Sequence, residues 1–502
     1  MNLLRLRLLF LTFHFCNTCA AHVVLTFPPA RNPPLDFLDS SRTHGPCGVP
    51  KRSNDKHTKL VAGESYKITW RMSYAHKGGY KLYLLDSAEL PLYQLTNWNN
   101  SDPFTGQCNQ TITEHWLTLP SGLSCINCAI QLERQATDWS SNFWFRSCAD
   151  VTIVPERSFV YGNRLSHPTR PKLTAAVLND CMGKGYLTSS GSCRCRRKFY
   201  GSICQYEDDC VEDVDCNSRG RCVDLKSTDF PRHVCYCAPS YFGRHCEKQF
   251  RPRLLDTALG CFNYKYPKSA FSQGLSTLDR KLKYNLFNPN CYEQRQLTPK
   301  DKLYWRKVES DVEFVVEMTG VYWVALGWRP KNASAECRRF PFSPYTNRKV
   351  KIPQTGTVFW LQARAVSNVQ MISASTEEAD LHAMDCIDVV VGSAKSDHSH
   401  VSDCYTRDRS TPLLDSAYGG QDDLTAAYAV ETYDGKTVMM FRKPIKAREN
   451  ADQSLGAGLM HVVWAKGQTT TKEHYYKTKK LMYHGKMNRG TITANLVDHH
   501  YN

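Results

Sequence analysis

Hydrophobic and polar residues alternate along several short segments of the chain, which is the pattern of half-buried β-strands. One such segment begins at Tyr66 and ends before Gly78-Gly79, so a strand followed by a turn is predicted there. From about residue 251 to 468, apolar runs recur around a turn at Asp434-Gly435. The runs in that region are Val312–Val316, Val321–Leu326 and Thr437–Phe441. The pattern predicts an all-β multidomain protein.

The start of the chain predicts its compartment. Residues 1–21 carry Arg5 and Arg7 ahead of an apolar run and end in small residues, as in a secretory signal peptide cut after Ala21. No later stretch is apolar and uncharged over the roughly 18 residues that a membrane helix needs. A secreted, extracellular protein without a membrane span is therefore predicted. Glycosylation sequons lie at Asn99, Asn109 and Asn332.

Composition narrows the class of protein. The 502 residues carry a formal charge of +16, with 41% hydrophobic and 11% aromatic residues, enough to build packed cores. The basic residues are dispersed and form no nucleic-acid-binding motif, so nucleic acid is not expected as a partner, whereas an anionic extracellular matrix is.

The 22 cysteines fit an oxidising compartment. Outside the predicted signal peptide, ten lie between Cys181 and Cys246. The two flanking groups hold five each, so either each keeps one thiol or one bridge joins them. These flanking cysteines are Cys47, Cys108, Cys125, Cys128 and Cys148, then Cys261, Cys291, Cys337, Cys386 and Cys404.

The central cysteines resemble EGF-like modules, whose bridges replace a core. Residues 209–248 have the six-cysteine spacing, and the resemblance implies the pairs Cys210–Cys222, Cys216–Cys235 and Cys237–Cys246. Residues 179–208 resemble a truncated module with Cys181–Cys193 and Cys195–Cys204. Zinc binding is the alternative for so many cysteines, and an oxidising compartment disfavours it. The modules are predicted to act as spacers, after a linker over 156–178.

Cleavage after Ala21 would leave His22 at the new N-terminus, with chemistry suited to copper. The α-amine has a pKa of about 7.7–8, so a metal can displace its proton near neutrality, while the ring supplies a second nitrogen. His76 is the candidate for a further imidazole, and tetragonal nitrogen ligation favours Cu(II). The alternatives are an arbitrary terminus for His22 and a surface-loop histidine for His76.

Residues 22–155 resemble the animal lytic polysaccharide monooxygenases of auxiliary-activity family fifteen. The motifs that carry the resemblance occur in order: His22 with Pro28-Pro29-Ala30-Arg31-Asn32, residues 75–80, residues 119–131 and residues 145–151. The resemblance implies an immunoglobulin-like β-sandwich, a copper site at His22 and His76, and oxidative cleavage of chitin or cellulose. It also implies an axial role for Phe145, for which a core aromatic is the alternative.

Residues 251–468 resemble a DOMON domain, which implies a second β-sandwich. The motifs are residues 320–328, 384–392, 401–405, 441–443 and 461–467. Some DOMON domains hold haem b between a methionine and a histidine, and Met384 and His461 stand at those positions. The alternatives are a gap-filling Met384, a His461 in a domain without haem, and a sugar-binding domain. Residues 469–502 are predicted to be a basic tail.

Two functions follow from these resemblances. The first is a secreted copper-dependent polysaccharide monooxygenase to which the DOMON domain donates electrons through haem b. The second is a non-catalytic extracellular protein that binds matrix or carbohydrate and carries a degenerate copper site.

Overall fold

The computed structural model describes most of the chain outside its first 21 residues. The described residues are 22–43, 45–51, 57–72, 76–96, 104–107, 112–155, 181–189, 192–201, 203–225, 231–250, 260–263, 282–320, 323–340, 380–456, 458–468, 481 and 483–497. The predicted signal peptide and linker lie outside these residues. The chain divides into two compact units, Met1–Pro171 and Lys172–Asn502.

Two sheets build the N-terminal unit. One has three strands in the order β1-β3-β6, and the other has five in the order β2-β8-β7-β4-β5, with β2 parallel to β8. Alternation explains β3, because Ile68 and Trp70 are buried and their neighbours are less so. The strands are β1 Val23–Phe27, β2 Thr58–Val61, β3 Ser65–Met72, β4 Tyr80–Leu85, β5 Pro91–Gln94, β6 Glu114–Thr118, β7 Cys125–Gln135 and β8 Trp144–Val154.

The core of the N-terminal unit contains the buried residues of both sheets. Leu25 and Ile68 come from the three-stranded sheet, and Leu82, Ile130 and Ala149 from the five-stranded sheet. Phe145 belongs to the same cluster and is fully buried. Disulfides join Cys47 to Cys148 and Cys125 to Cys128.

Short hairpins and disulfides form the cysteine-rich segment at the start of the C-terminal unit. All five bridges that the sequence resemblance implies are formed. Strands β9 and β10 pair, as do β11 with β12, β13 with β14, and β15 with β16. The strands are β9 Gly185–Leu187, β10 Cys193–Cys195, β11 Phe199–Tyr200, β12 Tyr206–Glu207, β13 Gly220–Asp224, β14 His233–Cys237, β15 Tyr241–Phe242 and β16 Lys248–Gln249.

The rest of the C-terminal unit consists of two packed sheets. One has five strands in the order β17-β18-β19-β25-β24. The other runs β22-β21-β20-β26-β27, with β23 paired to β22. Phe314, Trp328 and Phe441 stack between the sheets. The strands are β17 Glu293–Gln296, β18 Lys302–Val308, β19 Asp311–Thr319, β20 Val324–Pro330, β21 Ile387–Lys395, β22 His398–Thr406, β23 Leu413–Leu414, β24 Ala426–Glu431, β25 Lys436–Pro444, β26 Leu459–Lys466 and β27 Arg489–Asn495.

The second cysteine-rich module, residues 209–248, packs against this sandwich, and the role of the modules as spacers stays a prediction. Cys237 of β14 pairs with Ser399 of β22, so the β13–β14 hairpin extends the larger sheet. The Tyr236 hydroxyl lies 2.8 Å from the Ser393 hydroxyl, and His400 Nδ1 lies 3.0 Å from the Cys235 carbonyl. Both polar contacts bridge the hairpin to the sheet.

The predicted basic tail is also corrected in part. Within residues 469–502, Arg489–Asn495 form β27, which pairs antiparallel with β26 along its length. Ala494 is buried there, while neighbouring strand positions are more exposed. Alternation in Gly490-Thr491-Ile492-Thr493-Ala494 supplies the strand pattern, which the basic residues before it obscured.

The all-β fold class is confirmed, since the described residues contain strands and 3₁₀ helices and no α-helix. In the same residues, no helix has the length and apolar character needed to cross a membrane. The 3₁₀ helices are Cys181–Gly183, Asp213–Cys216, Pro289–Cys291, Ala335–Arg339 and Asp415–Tyr418.

Candidate metal centre

His22 precedes β1, at the edge of the N-terminal sandwich. Its ring lies edge-on to Phe37, with centroids 5.2 Å apart. Its Nδ1 lies 3.0 Å from Oδ1 of the buried Asp36, whose other oxygen lies 3.2 Å from the Arg71 guanidinium. His22 Nδ1 therefore faces a carboxylate that is itself held by a cation.

His76 lies between β3 and β4 and is only 1% exposed. Its Nδ1 is 2.7 and 2.8 Å from the two carboxylate oxygens of Asp138. A carboxylate on one ring nitrogen orients the imidazole and directs the other nitrogen, Nε2, away from it. Metal-bound histidines in proteins are commonly held in this way.

Three aromatic rings connect the two histidines. Phe37, which contacts His22, lies 5.1 Å from Phe145 and 6.4 Å from Trp139, measured between centroids. His76 lies 5.3 Å from Trp139 and 6.2 Å from Phe145. The fold thus brings histidines 54 positions apart in the sequence to one aromatic cluster. Phe145 lies beside His76 and is a core residue, and the axial role that the resemblance implies for it stays a prediction.

Arg134 on β7 fixes the backbone of the loop that carries His76. Its guanidinium donates hydrogen bonds to the carbonyl oxygens of His76 at 2.9 Å and Gly79 at 3.0 Å, and to that of Gly78. The side chain is fully buried, and this burial lowers the pKa of Arg134 to about 10, although Asp138 and Tyr80 act to raise it. Arg134 is therefore a positioning residue for His76.

The site that the sequence predicts for haem b, at Met384 and His461, lies on the outer face of the larger sheet. A cavity of about 350 Å³ there has apolar walls that include Trp323, Val389 and Val463. Met384 lines this cavity. His461 on β26 is not among the lining residues, and its Nε2 lies 3.1 Å from the Ala383 carbonyl oxygen. Burial and the charge of Arg329 lower the pKa of His461, so the ring is neutral at pH 7.

A family model matches part of this sandwich. Residues 379–467 match the DOMON domain. This segment is a DOMON domain. It begins before β21 and includes β26, so it contains Met384, His461 and most of the larger sheet.

Two further comparisons give partial similarity. The zebrafish (Danio rerio) protein eyes shut homolog is 31% identical over 97 residues, which are 18% of this chain. The chain spans 3% of that relative's length. A crystal structure of a chitin-binding domain from Burkholderia pseudomallei aligns over all of its own length with 27% of this chain, at 16% identity and a TM-score of 0.18. That TM-score is too low to establish a shared fold.

The contacts of the DOMON domain constrain an axial methionine–histidine pair. His461 Nε2 contacts the Ala383 carbonyl oxygen beside Met384, so an axial bond to iron would need Nδ1 of His461 or the loss of that contact. Haem b at Met384 and His461 stays a prediction.

The N-terminal donor set fits copper better. His76 has the second partner that an imidazole ligand requires, and both rings border one cluster. His22 Nδ1 would have to leave Asp36 to act as a ligand. Release of the His22 α-amine depends on cleavage after Ala21, which stays a prediction because residues 1–21 lie outside the described part of the chain.

Sequence reasoning missed the groups that hold the two histidines. Asp36, Arg134 and Asp138 lie in segments whose patterns carry no metal-site signal, and only the folded arrangement brings them to His22 and His76. Asp36 lies one residue before Phe37 and Asp138 one residue before Trp139, two rings of the aromatic cluster.

The remaining sequence predictions concern cysteines and glycosylation. Cys404 is a buried thiol, and Cys261–Cys291 and Cys337–Cys386 are bridged. The last group therefore keeps one thiol, while Cys108 of the first group lies outside the described residues. Asn332 is exposed in a turn, as glycosylation requires. Asn99 and Asn109 lie outside the described residues. The nine described disulfides and the DOMON domain fit an extracellular protein.

Proposed function

We propose that the chain is an extracellular copper-dependent oxidoreductase whose N-terminal unit acts on a polysaccharide such as chitin or cellulose. The observation that supports it is the convergence of His22 and His76 on the aromatic cluster of Phe37, Trp139 and Phe145. Copper bound there would supply one-electron redox chemistry.

The donor set favours copper over other extracellular metals. After cleavage it would consist of the α-amine and ring of His22 and the ring of His76, all neutral nitrogen donors. Such a set suits Cu(II), whereas calcium and magnesium require oxygen ligands. Asp138 fixes the tautomer of His76, because its carboxylate accepts a hydrogen bond from Nδ1–H and so leaves Nε2 as the basic nitrogen.

The aromatic cluster determines what else reaches the site. Phe145 is fully buried and its phenyl ring has no ligand atom, so it would exclude water beside His76 rather than coordinate the metal. Trp139 covers the same imidazole edge-on. Arg134 and Asp138 limit movement of the loop, so the position of His76 would change little on metal binding.

The contact between His22 and Asp36 favours the second candidate, a non-catalytic matrix- or carbohydrate-binding protein with a degenerate copper site. The Asp36 carboxylate, 3.0 Å from Nδ1, occupies the ring nitrogen that would bind the metal together with the α-amine. Under this alternative, copper binds weakly and no bond in the polysaccharide is cleaved.

Copper titration of the secreted full-length chain tests the proposal. We expect one Cu(II) per chain with a nitrogen-rich paramagnetic resonance spectrum, and at least a 100-fold weaker affinity in His76→Ala, since an imidazole ligand is lost. His57→Ala is the matched control, because His57 lies before β2 in the same unit and outside the aromatic cluster. Equal affinity in all three proteins contradicts a copper site at His76.

Product analysis then separates the two candidates. The copper-loaded chain is incubated with chitin or cellulose and a reductant, and soluble products are analysed by mass spectrometry. Oxidised oligosaccharides that disappear in His76→Ala support the oxidoreductase. Tight copper binding without oxidised products on either substrate favours the non-catalytic protein.

A further inference from the structure

A second polar site, unrelated to the histidines, lies inside the DOMON sandwich around Lys443 of β25. The ammonium nitrogen is 2.6 Å from Asp403, 2.8 Å from Asp452 and 3.1 Å from Asp423. It is 3.3 Å from Asp388 and 3.9 Å from Asp415. The lysine side chain is 2% exposed and none of the five carboxylate side chains exceeds 8%. Five carboxylates thus surround one buried cation.

Different elements deliver these groups to one end of the sandwich. Asp388 lies on β21 and Asp403 on the neighbouring strand β22 of the larger sheet, whereas Lys443 lies on β25 of the smaller sheet. Asp415 begins the 3₁₀ helix Asp415–Tyr418. Asp423 and Asp452 come from connecting segments. The cluster therefore lies where both sheets and two connections meet, β23–β24 with Asp415 and Asp423, and β25–β26 with Asp452.

One ammonium group cannot satisfy this cluster. Asp388 also accepts a hydrogen bond from the Gln453 backbone at 2.9 Å, and Asp403 accepts one from the Asp423 backbone at 3.1 Å. Asp415 is different, because within the described residues neither of its oxygens accepts a hydrogen bond. Its nearest oxygen is beyond hydrogen-bond distance from Lys443. A buried carboxylate in that state is strongly unfavourable unless another group compensates for it.

Because neither oxygen of the buried Asp415 accepts a hydrogen bond within the described residues, this carboxylate needs a further cation or a proton. Three carboxylate oxygens are close enough to bind one cation, since one oxygen each of Asp403, Asp415 and Asp452 lies within 4.8 Å of the other two. Around a calcium ion with ligands at 2.3–2.6 Å, oxygens on opposite sides are about 5 Å apart and neighbours are closer.

We propose that Asp403, Asp415 and Asp452 bind a calcium ion beside Lys443 in the core of the DOMON sandwich. All three ligands are hard oxygen donors, and calcium accepts irregular arrangements of six to eight oxygens. Magnesium fits less well, because it demands an octahedron at 2.0–2.1 Å and keeps several waters. The ion compensates the charge that Lys443 leaves and ties β22 to the two connections that carry Asp415 and Asp452.

Calcium titration of the full-length chain tests the site. The protein is stripped with EDTA, exchanged into buffer without chelator and titrated with calcium chloride, while heat and unfolding temperature are measured. We expect a higher unfolding temperature with calcium than with equal magnesium. In Asp415→Asn, which keeps the side-chain shape, we expect at least a tenfold weaker affinity for this site. Asp397→Asn, an aspartate of the β21–β22 turn outside the cluster, is the control and should respond as the parent does.

A second variant keeps the proposal testable if Asp415→Asn does not fold. Lys443→Met removes the positive charge next to the ion, so calcium affinity should rise severalfold and folding should depend on calcium. An unchanged or weaker affinity in Lys443→Met overturns the proposal. So does a parent chain whose unfolding is indifferent to millimolar calcium, since Asp415 is then neutralised by a proton alone.

Discussion

The loop around His76 and the strand around His461 each carry a histidine that the sequence predicts as a metal ligand, and they hold it by different ring nitrogens. The Asp138 carboxylate contacts Nδ1 of His76, which directs Nε2 away from the carboxylate. The Ala383 carbonyl oxygen contacts Nε2 of His461. The difference teaches that the partner of one ring nitrogen decides which nitrogen an imidazole can offer to a metal.

The backbone around the two histidines differs as well. His461 lies within β26, whose ladder to β20 and β27 fixes it on both sides. His76 lies in a connection, where the buried Arg134 side chain donates hydrogen bonds to the carbonyls of His76 and Gly79, and the Gln135 backbone also donates to that of Gly79. The N-terminal site therefore depends on a few side chains, and each can be changed separately.

Arg134→Met gives the largest expected effect on this comparison. Methionine fills similar space but removes the guanidinium donor from the carbonyls of His76 and Gly78, at about 1–3 kcal/mol for each, whereas the Gly79 carbonyl keeps its hydrogen bond from the Gln135 backbone. We expect a loss of about 2 kcal/mol or more in the free energy of unfolding, measured by denaturant titration, together with weaker copper binding.

The control for Arg134→Met is Lys59→Met, an exposed position on β2, for which we expect a change within about 0.5 kcal/mol. Similar stabilities for the two variants would show that Arg134 does not support the loop, and the contrast between the sites would then need another cause.

Asp138→Asn has a smaller expected effect and tests the His76 side of the comparison through copper affinity. Asparagine can hold the ring, but it supports the imidazole less well as a copper ligand, so we expect a 10- to 100-fold loss of copper affinity. Stability should change little, because the Asp138 side chain is 26% exposed. Titration calorimetry with copper measures the affinity.

Glu114→Gln removes a carboxylate from an exposed pair with Lys67 and serves as the matched control for Asp138→Asn. If both variants bind copper as tightly as the parent, Asp138 is a surface partner of His76 and has no part in a metal site.

The sequence predicted the fold better than the site, for physical reasons. Strand alternation is local, so the all-β class could be predicted from neighbouring residues, while the five disulfides were implied by the resemblance of the cysteine spacing to EGF-like modules. Asp138 is 62 positions from His76, and nothing in either segment indicates that contact. Similarly, the Nε2 contact of His461 depends on a backbone carbonyl, which any residue would supply.

The cluster around Lys443 had a weak local signal. Asp388 stands between Ile387 and Val389 in an apolar strand, and Lys443 follows the apolar run that ends at Phe441. A charged residue inside an apolar strand indicates a buried partner of opposite charge. Which residues are the partners depends on the folded arrangement of both sheets.

The smallest expected effect is on the pH dependence of the free energy of unfolding, and it tests His461 alone. Burial and Arg329 lower its pKa, so the unfolded chain binds the proton more readily than the folded chain. The resulting stability is fully present above the ordinary histidine pKa of about 6.5 and declines as the pH falls through that value towards the lower folded pKa. In His461→Gln this contribution is absent. Comparing unfolding free energies between pH 7.5 and 5, we expect the parent to lose more stability than the variant. Parallel curves would show that the ring charges equally well in both states. The contact with the Ala383 carbonyl would then not hold the His461 ring in its neutral form.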